Sequence, residues 1–442
     1  MGYILLCLLA AVSVWAQPAG FEGTWQGTLS GHGTKLRLGL HIEKTSSGGY
    51  ATKMDSIDQG AIGIPVKDTT ISGQQLTIEL PELSVKFVGT LSADGSEIAG
   101  TYTRGLERPL TFKRVAKIEE LERPQTPKPP FPYKAEEVTY ENKVAGVKLA
   151  GTLTVPNGAG PFPAAILITG SGVHDRDESI VGHQPFWILA DYLSRHGIAV
   201  LRSDDRGVGG STGDKMAADL PNLAGDVVAA TAFLKARKEI AAKHIGVIGH
   251  SEGGILGPLA ATQSADISFV VMMAGTGVPG EQIILRQIEA SARAQGAPAD
   301  AIGQMLDRQR NLMSIVKDSD AATAAEKLKA AGLQPPQIAS VNSVHLRSFL
   351  VLDPAPVLAK VKVPVLAVNG AKDLQVSPEQ NLGAIRMALS GNSNATVTEL
   401  PGLNHLFQTC HDCTVTEYAG IQETLAPSVL ELISNWVTQH TR

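Results

Sequence analysis

The feature that most constrains this chain is a change of hydrophobic period near residue 118. Over residues 21–115 the period is two. Leu36, Leu38, Leu40 and Ile42 alternate with polar residues or glycine, as do Leu76, Ile78 and Leu80, then Leu83, Val85 and Phe87. Such alternation places one row of side chains on a core face. Turn chemistry separates the runs at Ser46-Ser47-Gly48-Gly49, Ser72-Gly73 and Ala93-Asp94-Gly95. Residues 17–117 are therefore expected to form a small antiparallel β-barrel or sandwich of about eight strands. No acids, histidines or cysteines converge there in the sequence, so a packing or spacer role is the preferred reading over ligand capture.

Beyond it, Pro124, Pro127, Pro129, Pro130 and Pro132 predict a stiff extended linker over 118–133. From residue 134 to 442 strands alternate with helices. Runs at 138–140 and 147–155 read as a hairpin. Short apolar runs follow at 164–169, 198–203, 244–248, 269–273 and 365–368, of the kind buried on both faces of a parallel sheet. Helical segments at 186–195 and 223–235 lie between them. Ser377-Pro378-Glu379-Gln380 reads as a helix start with a serine cap and Gln380 at the capping-box position. The fold class is α/β, a doubly wound, mostly parallel sheet with an antiparallel start. At about 276–350 the alternation stops and apolar residues recur at helical spacing (Ile302, Met305, Leu306; Leu312, Met313, Val316). That segment is expected to be a helical cap whose methionines fill its own core.

Charge narrows the partners. The 442 residues carry 38 basic and 43 acidic side chains, a net charge of -5, with no Lys/Arg-rich run. Nucleic acid and anionic membrane surfaces are disfavoured. Residues 1–16 read as a signal peptide: an apolar run over 4–14 ends at Val14-Trp15-Ala16, with small residues at a cleavage position. The run is shorter than the roughly 18 residues of a membrane span, and Cys7 sits too far inside it for a lipid anchor. A secreted or periplasmic protein without a stable membrane anchor is expected.

The chemistry centres on Gly249-His250-Ser251-Glu252-Gly253, which follows the apolar run 245–248 and precedes a helix-capable segment. A serine held on a tight strand-to-helix turn needs small neighbours, and that setting marks Ser251 as a nucleophile. A serine hydroxyl is a weak nucleophile at neutral pH and needs a base oriented by an acid. In this arrangement the order along the chain is Ser, then Asp or Glu, then His. Asp373 follows the run 365–368, and His405 follows the strand-like segment 396–400. Both fall where strands of such a sheet end and ligand chemistry collects. His250 and His411 are competitors for the base. The oxyanion of a tetrahedral intermediate needs backbone N–H donors. Glu252 offers one, and the loop Thr169-Gly170-Ser171-Gly172-Val173 the other, from Ser171 or alternatively Gly172. Neither Gly170–Asp175 nor Gly207–Gly213 completes a dinucleotide fingerprint, and no P-loop is present in the sequence.

The elbow His250-Ser251-Glu252-Gly253-Gly254, the segment Gly170-Ser171-Gly172-Val173-His174-Asp175-Arg176-Asp177 and Asp204-Asp205-Arg206-Gly207-Val208-Gly209-Gly210-Ser211 resemble the serine aminopeptidase-like and dienelactone-hydrolase-like branch of α/β-hydrolases. That branch includes secreted carboxylesterases with an extra N-terminal β domain. The resemblance implies Ser251, Asp373 and His405 as a catalytic triad and a structural role for Asp205 and Arg206. Val173-His174 departs from it, standing where a proline-containing turn is expected.

The expected function is hydrolysis of carboxylic esters with small acyl groups through an acyl-enzyme. It needs no metal or organic cofactor, and activity should rise through pH ~6–7 as the base becomes neutral. Two rivals stand beside it. A peptidase or aminopeptidase would use the same triad, with Asp300, Asp307, Asp318 or Asp320 of the cap meeting a substrate amine. A binding module would pair the N-terminal barrel with an inactive hydrolase domain. Asp175, Asp177 and Glu178 read as a solvated loop rim rather than a metal site. Cys410 and Cys413 lack a second ligand pair for zinc and read either as a small disulfide ring or as two free thiols.

Overall fold

The computed structural model describes residues 20–31, 34–118 and 121–441. The 1–16 segment expected to be a signal peptide lies outside them, as does Cys7. Among the described residues no helix is long and apolar enough to cross a membrane. The chain divides into two compact units, residues 1–121 and 122–442.

The first unit is one antiparallel meander: β1 (Gly23–Gly31), β2 (Thr34–Lys44), β3 (Tyr50–Ser56), β4 (Ala61–Pro65), β5 (Asp68–Ser72), β6 (Gln75–Leu80), β7 (Val85–Leu91), β8 (Glu97–Arg104) and β9 (Leu106–Val115). The sheet order is β4-β3-β2-β1-β9-β8-β7-β6-β5. Its two edge strands, β4 and β5, are joined by only Val66 and Lys67, so the sheet must curl until its edges meet. The result is a barrel with a seam. Inward residues at period two build its core: Trp25, Leu38, Leu40, Ile42, Leu76, Ile78, Phe87 and Phe112 are all nearly fully buried. Among the described residues the strands number nine. Leu83 does not continue the core row, because Pro81 lacks an N–H and ends β6 in a short 3-10 turn that leaves Leu83 exposed.

The proline-containing segment is not a free spacer. From Glu122 it belongs to the second unit, where Arg123 donates to the carbonyls of Val181, Gly182, Ala419 and Ile421. The sheet there has eight strands: β10 (Tyr133–Asn142), β11 (Val147–Pro156), β12 (Phe162–Ile168), β13 (Ala199–Ser203), β14 (Ile240–His250), β15 (Val270–Met273), β16 (Val365–Gly370) and β17 (Ala395–Leu400), in the order β10-β11-β13-β12-β14-β15-β16-β17. The first two form the antiparallel start, and the strands from β13 onward run parallel.

Burial on both faces explains the unbroken apolar runs. In β12, Ala164, Ile166 and Ile168 pack with α2 (Leu220–Lys235) and α3 (Gly253–Gln263), while Ala165 and Leu167 pack with α1 (Pro185–Arg195) on the other side. The cap, inserted between β15 and β16, holds α4 (Gly280–Ala294), α5 (Ala299–Lys317), α6 (Ala321–Ala330), α7 (Pro335–Val341), α8 (Val344–Val351) and α9 (Pro354–Leu358). It has its own core of Met313, Val316, Leu328, Leu333 and Leu350. Met305, expected inside that core, is half exposed, on a face of α5 that opens to an external groove. Then come α10 (Pro378–Ala388) and α11 (Pro427–His440). Ser377 precedes α10, but its side chain makes no capping bond. The expected serine cap is therefore not made; the Ser377 carbonyl accepts the first intrahelical N–H, from Asn381, and also the Asn381 side-chain amide.

Candidate active site

Ser251 follows the last residue of β14 with φ of 54°, in the left-handed region that a non-glycine residue enters only at a cost. Its N–H donates to the Met273 carbonyl at 2.8 Å and its carbonyl accepts from the Gly254 N–H at 2.9 Å. These bonds hold the strained turn. Its neighbours have to be glycine: a Cβ on Gly249 would run into the Gly253 carbonyl, and one on Gly253 into the carbonyl of Ile168. The elbow therefore projects one side chain at the carboxyl edge of the sheet, at the amino-terminal, electropositive end of α3.

Asp373 is in the loop after β16 and is buried. One carboxylate oxygen accepts the backbone N–H of Gln375 at 2.7 Å and of Val376 at 2.8 Å. The other lies 2.8 Å from Nδ1 of His405. With that carboxylate's lone pairs directed by two N–H donors, the remaining oxygen fixes the proton on Nδ1 and leaves Nε2 as the basic nitrogen. His405 is buried in the loop after β17, and the side-chain carbonyl of Asn404 shapes that loop by accepting the N–H groups of Leu406 and Gln408, each at 3.0 Å. His250 and His405 are brought ring to ring at 4.7 Å. His411 is fully exposed and bonded to Asp412, away from this cluster.

The loop after β12 lies directly against the elbow: a Cβ on Gly170 would stand 3.2 Å from the Ser251 Cβ. It is braced from beneath. The Gly170 N–H donates to Glu178 Oε1 at 2.7 Å, and the Gly170 carbonyl accepts from the buried Lys215 ammonium at 2.9 Å. Asp205 ties the set together, pairing with Lys215 at 2.8 Å and accepting from the Thr169 hydroxyl and the His174 N–H, each at 2.8 Å. The His174 ring folds back so that Nε2 meets the Ser171 carbonyl at 2.8 Å, closing the loop where a proline turn was expected. Above this frame, Ser171 and Gly172 are exposed. Among the described residues, the N–H groups of Ser171, Gly172 and Glu252 donate to no protein acceptor. They are spare donors around the elbow.

Glu252 carries a second link. Its side chain is buried, with one oxygen 2.9 Å from His345 Nε2 on α8 and the other unbonded. The His345 N–H donates to the Met216 carbonyl. Cap and elbow thus touch through one carboxylate. Asp175 and Asp177 are also partnered, and Glu178, expected on a solvated rim, is buried. Asp175 accepts from Ser179, Asp177 pairs with Arg202, and Glu178 meets His250. Among the described residues no group of three His, Cys, Asp or Glu could hold a metal ion. In the cap, Asp320 caps α6, Asp318 accepts from Ser314, Asp307 pairs with Arg310, and Asp300 sits in the first turn of α5. Cys410 and Cys413 are joined in a disulfide beyond His405.

Sequence reasoning took the buried Glu178 for a solvated rim acid and missed Lys215 and His345. A buried acid or lysine has no local signature, since only its distant partner distinguishes it from a surface charge.

The family described as serine aminopeptidase, S33, matches residues 185–409, a stretch holding Ser251, Asp373 and His405 but not the loop after β12. Esterase EstD of Thermotoga maritima is 29% identical over 321 residues, covering 72% of this chain and 71% of that protein. Among solved structures, the α/β hydrolase GrgF of a Penicillium species is similar at 18% identity and a TM-score of 0.47, covering 70% of this chain and 99% of that one. A dienelactone hydrolase of Anabaena variabilis is similar at 18% identity and a TM-score of 0.41, over 70% and 100% of the two chains.

Proposed function

We propose that this chain, which belongs to the serine aminopeptidase (S33) family within the α/β-hydrolase superfamily, is a secreted serine esterase that cleaves carboxylic esters of small acyl groups. One observation carries the reading: the buried His405–Asp373 pair stands at the same sheet edge as the strained Ser251 turn, in the chain order a serine hydrolase needs. In the proposed reaction His405 Nε2 takes the Ser251 proton as Oγ attacks the ester carbonyl. The N–H of Glu252, with that of Ser171 or Gly172, holds the resulting oxyanion. Collapse expels the alcohol, protonated by His405, and leaves an acyl-serine. Water, deprotonated by the same nitrogen, repeats the attack and releases the acid.

The esterase name of the Thermotoga relative favours an ester, and the family's description favours an amide. The cap acids weigh against a substrate amine, because three of the four candidates already serve a helix end, a hydroxyl or an arginine. The disulfide suits an oxidising compartment, which agrees with the signal-like 1–16 segment. A fluorophosphonate should label the wild type and not Ser251→Ala, and that substitution should lower turnover at least ~10⁴-fold. Unlabelled wild-type protein would leave the inactive-hydrolase reading standing. p-Nitrophenyl acetate should be turned over far faster than an aminoacyl anilide; the reverse order would make the protein a peptidase.

A further inference from the structure

We infer that His250, the residue before the serine, is a fixed imidazolium which, paired with Glu178, clamps the loop after β12 and the His405 loop onto the elbow. It is a positioning residue: it touches neither substrate nor the reacting atoms. The inference rests on the reading of Ser251 and His405 given above.

Hydrogen-bond valence carries the argument. Nε2 of His250 lies 3.0 Å from the carbonyl oxygen of His405, and a carbonyl can only accept, so Nε2 bears a hydrogen. Nδ1 lies 2.9 Å from Glu178 Oε1, which already accepts the Gly170 N–H. An ionised carboxylate likewise only accepts, so Nδ1 bears a hydrogen as well. Two hydrogens make the ring a cation. Three segments then meet on one ion pair: Gly170 through Glu178, the His405 peptide through Nε2, and Ser251 through its covalent neighbour.

The surroundings make that pair consequential. Both partners are buried, and Phe186, Leu189, Met273, Phe407 and Leu425 enclose a residual cavity of only about 10 Å³ beside them, room for one water at most. Glu178 itself sits at φ of 51°, a strained backbone that delivers its carboxylate to this spot. Charge complementarity agrees. Burial pushes the Glu178 carboxyl up, but the His250 charge and hydrogen bond outweigh it and hold the group below its ordinary value. Burial likewise lowers His250, and Glu178 together with the His405 carbonyl more than reverses that, leaving it raised. The other charged or titratable groups facing the pair are Asp373 and His405 beside His250, and His174 beside Glu178. A histidine raised in the folded state gives its full stabilisation below its ordinary value and loses it as pH rises through the raised one. The clamp therefore loosens on the alkaline side.

Nitrogen NMR of the full-length protein with ¹⁵N-labelled histidine tests this, with the His250 signals assigned by their loss in His250→Gln. At about pH 7 both ring nitrogens of His250 should carry hydrogen. A single bare ring nitrogen, as in a neutral pair with protonated Glu178, would overturn the inference. Kinetics give a second measurement. His250→Gln and Glu178→Gln should each lower kcat about 10²-fold with KM within about threefold, and should remove the wild type's alkaline decline. Unchanged kcat and an unchanged alkaline limb in folded variants would also overturn it. Fluorophosphonate labelling of Ser251 separates the two layers: its absence would fail the functional reading, whereas the NMR result bears on the clamp alone.

Discussion

The two sheets of this protein manage their charged loops in opposite ways. In the antiparallel barrel charged turns bond within themselves or to a neighbouring strand, as Asp58 of the β3–β4 turn does to Arg37 of β2. Asp94 is typical: it accepts from the hydroxyls of Ser92 and Ser96 and from the Ser96 N–H within its own turn. In the second sheet the parallel strands are joined by helical crossovers, and loops distant in sequence emerge at one edge. There Glu178 bonds across 72 positions to His250, and His405 across 32 to Asp373. The difference teaches why chemistry collects in one unit. Turns that bond within themselves bring few distant groups together, whereas converging crossovers must satisfy one another and leave donors such as the Ser171 and Glu252 N–H groups without a protein acceptor among the described residues.

Four substitutions can break or sharpen that contrast. Lys215→Met removes the ammonium beneath Gly170 and strands Asp205. It should lower kcat about 10²-fold with KM little changed in steady-state ester hydrolysis, and a drop confined to KM would mean the brace serves binding instead. His345→Ala frees the Glu252 side chain from the cap and should lower kcat about tenfold, since one buried hydrogen bond to a carboxylate is lost. In the barrel, Trp25→Ala should destabilise the first unit by about 3–5 kcal/mol, read as a lower thermal transition, while ester turnover at 25 °C stays within about twofold. A parallel loss of activity would end the idea that the barrel is chemically silent. Asp94→Ala should leave turnover unchanged. In the wild type, hydrogen bonds from Ser92 and then Ser96 lower the Asp94 carboxyl to about 2. Its contribution to the turn is therefore present above its ordinary value and lost as pH falls toward about 2, which a carboxyl-carbon NMR titration would follow.

Much of this was legible in the chain. The period-two rows drew the barrel, and the apolar runs drew the parallel strands, because burial on one face or two writes itself into successive residues. The strand-end positions of Ser251, Asp373 and His405 were legible because in each case a strand-like run gives way to a loop. The frame beneath them was not. Glu178 and Lys215 look like any surface charge until the fold supplies His250 and Asp205. Leu83 and Ser377 failed for a related reason. Leu83 fits an alternation that Pro81 interrupts, and Ser377 fits a cap pattern whose side-chain bond is not made.

The insertion point of the cap has an evolutionary consequence. Its helices leave the sheet after β15 and return at β16, and those strands are hydrogen-bonded neighbours, about 4.8 Å apart. The proposed nucleophile precedes the insertion, and the proposed acid and base follow it. A lineage could therefore exchange, lengthen or shed the whole cap without moving either end of the break in the sheet. Substrate range in such a chain can drift with the cap while the sheet that carries the proposed nucleophile, acid and base stays in place, provided the His345–Glu252 contact is kept or replaced.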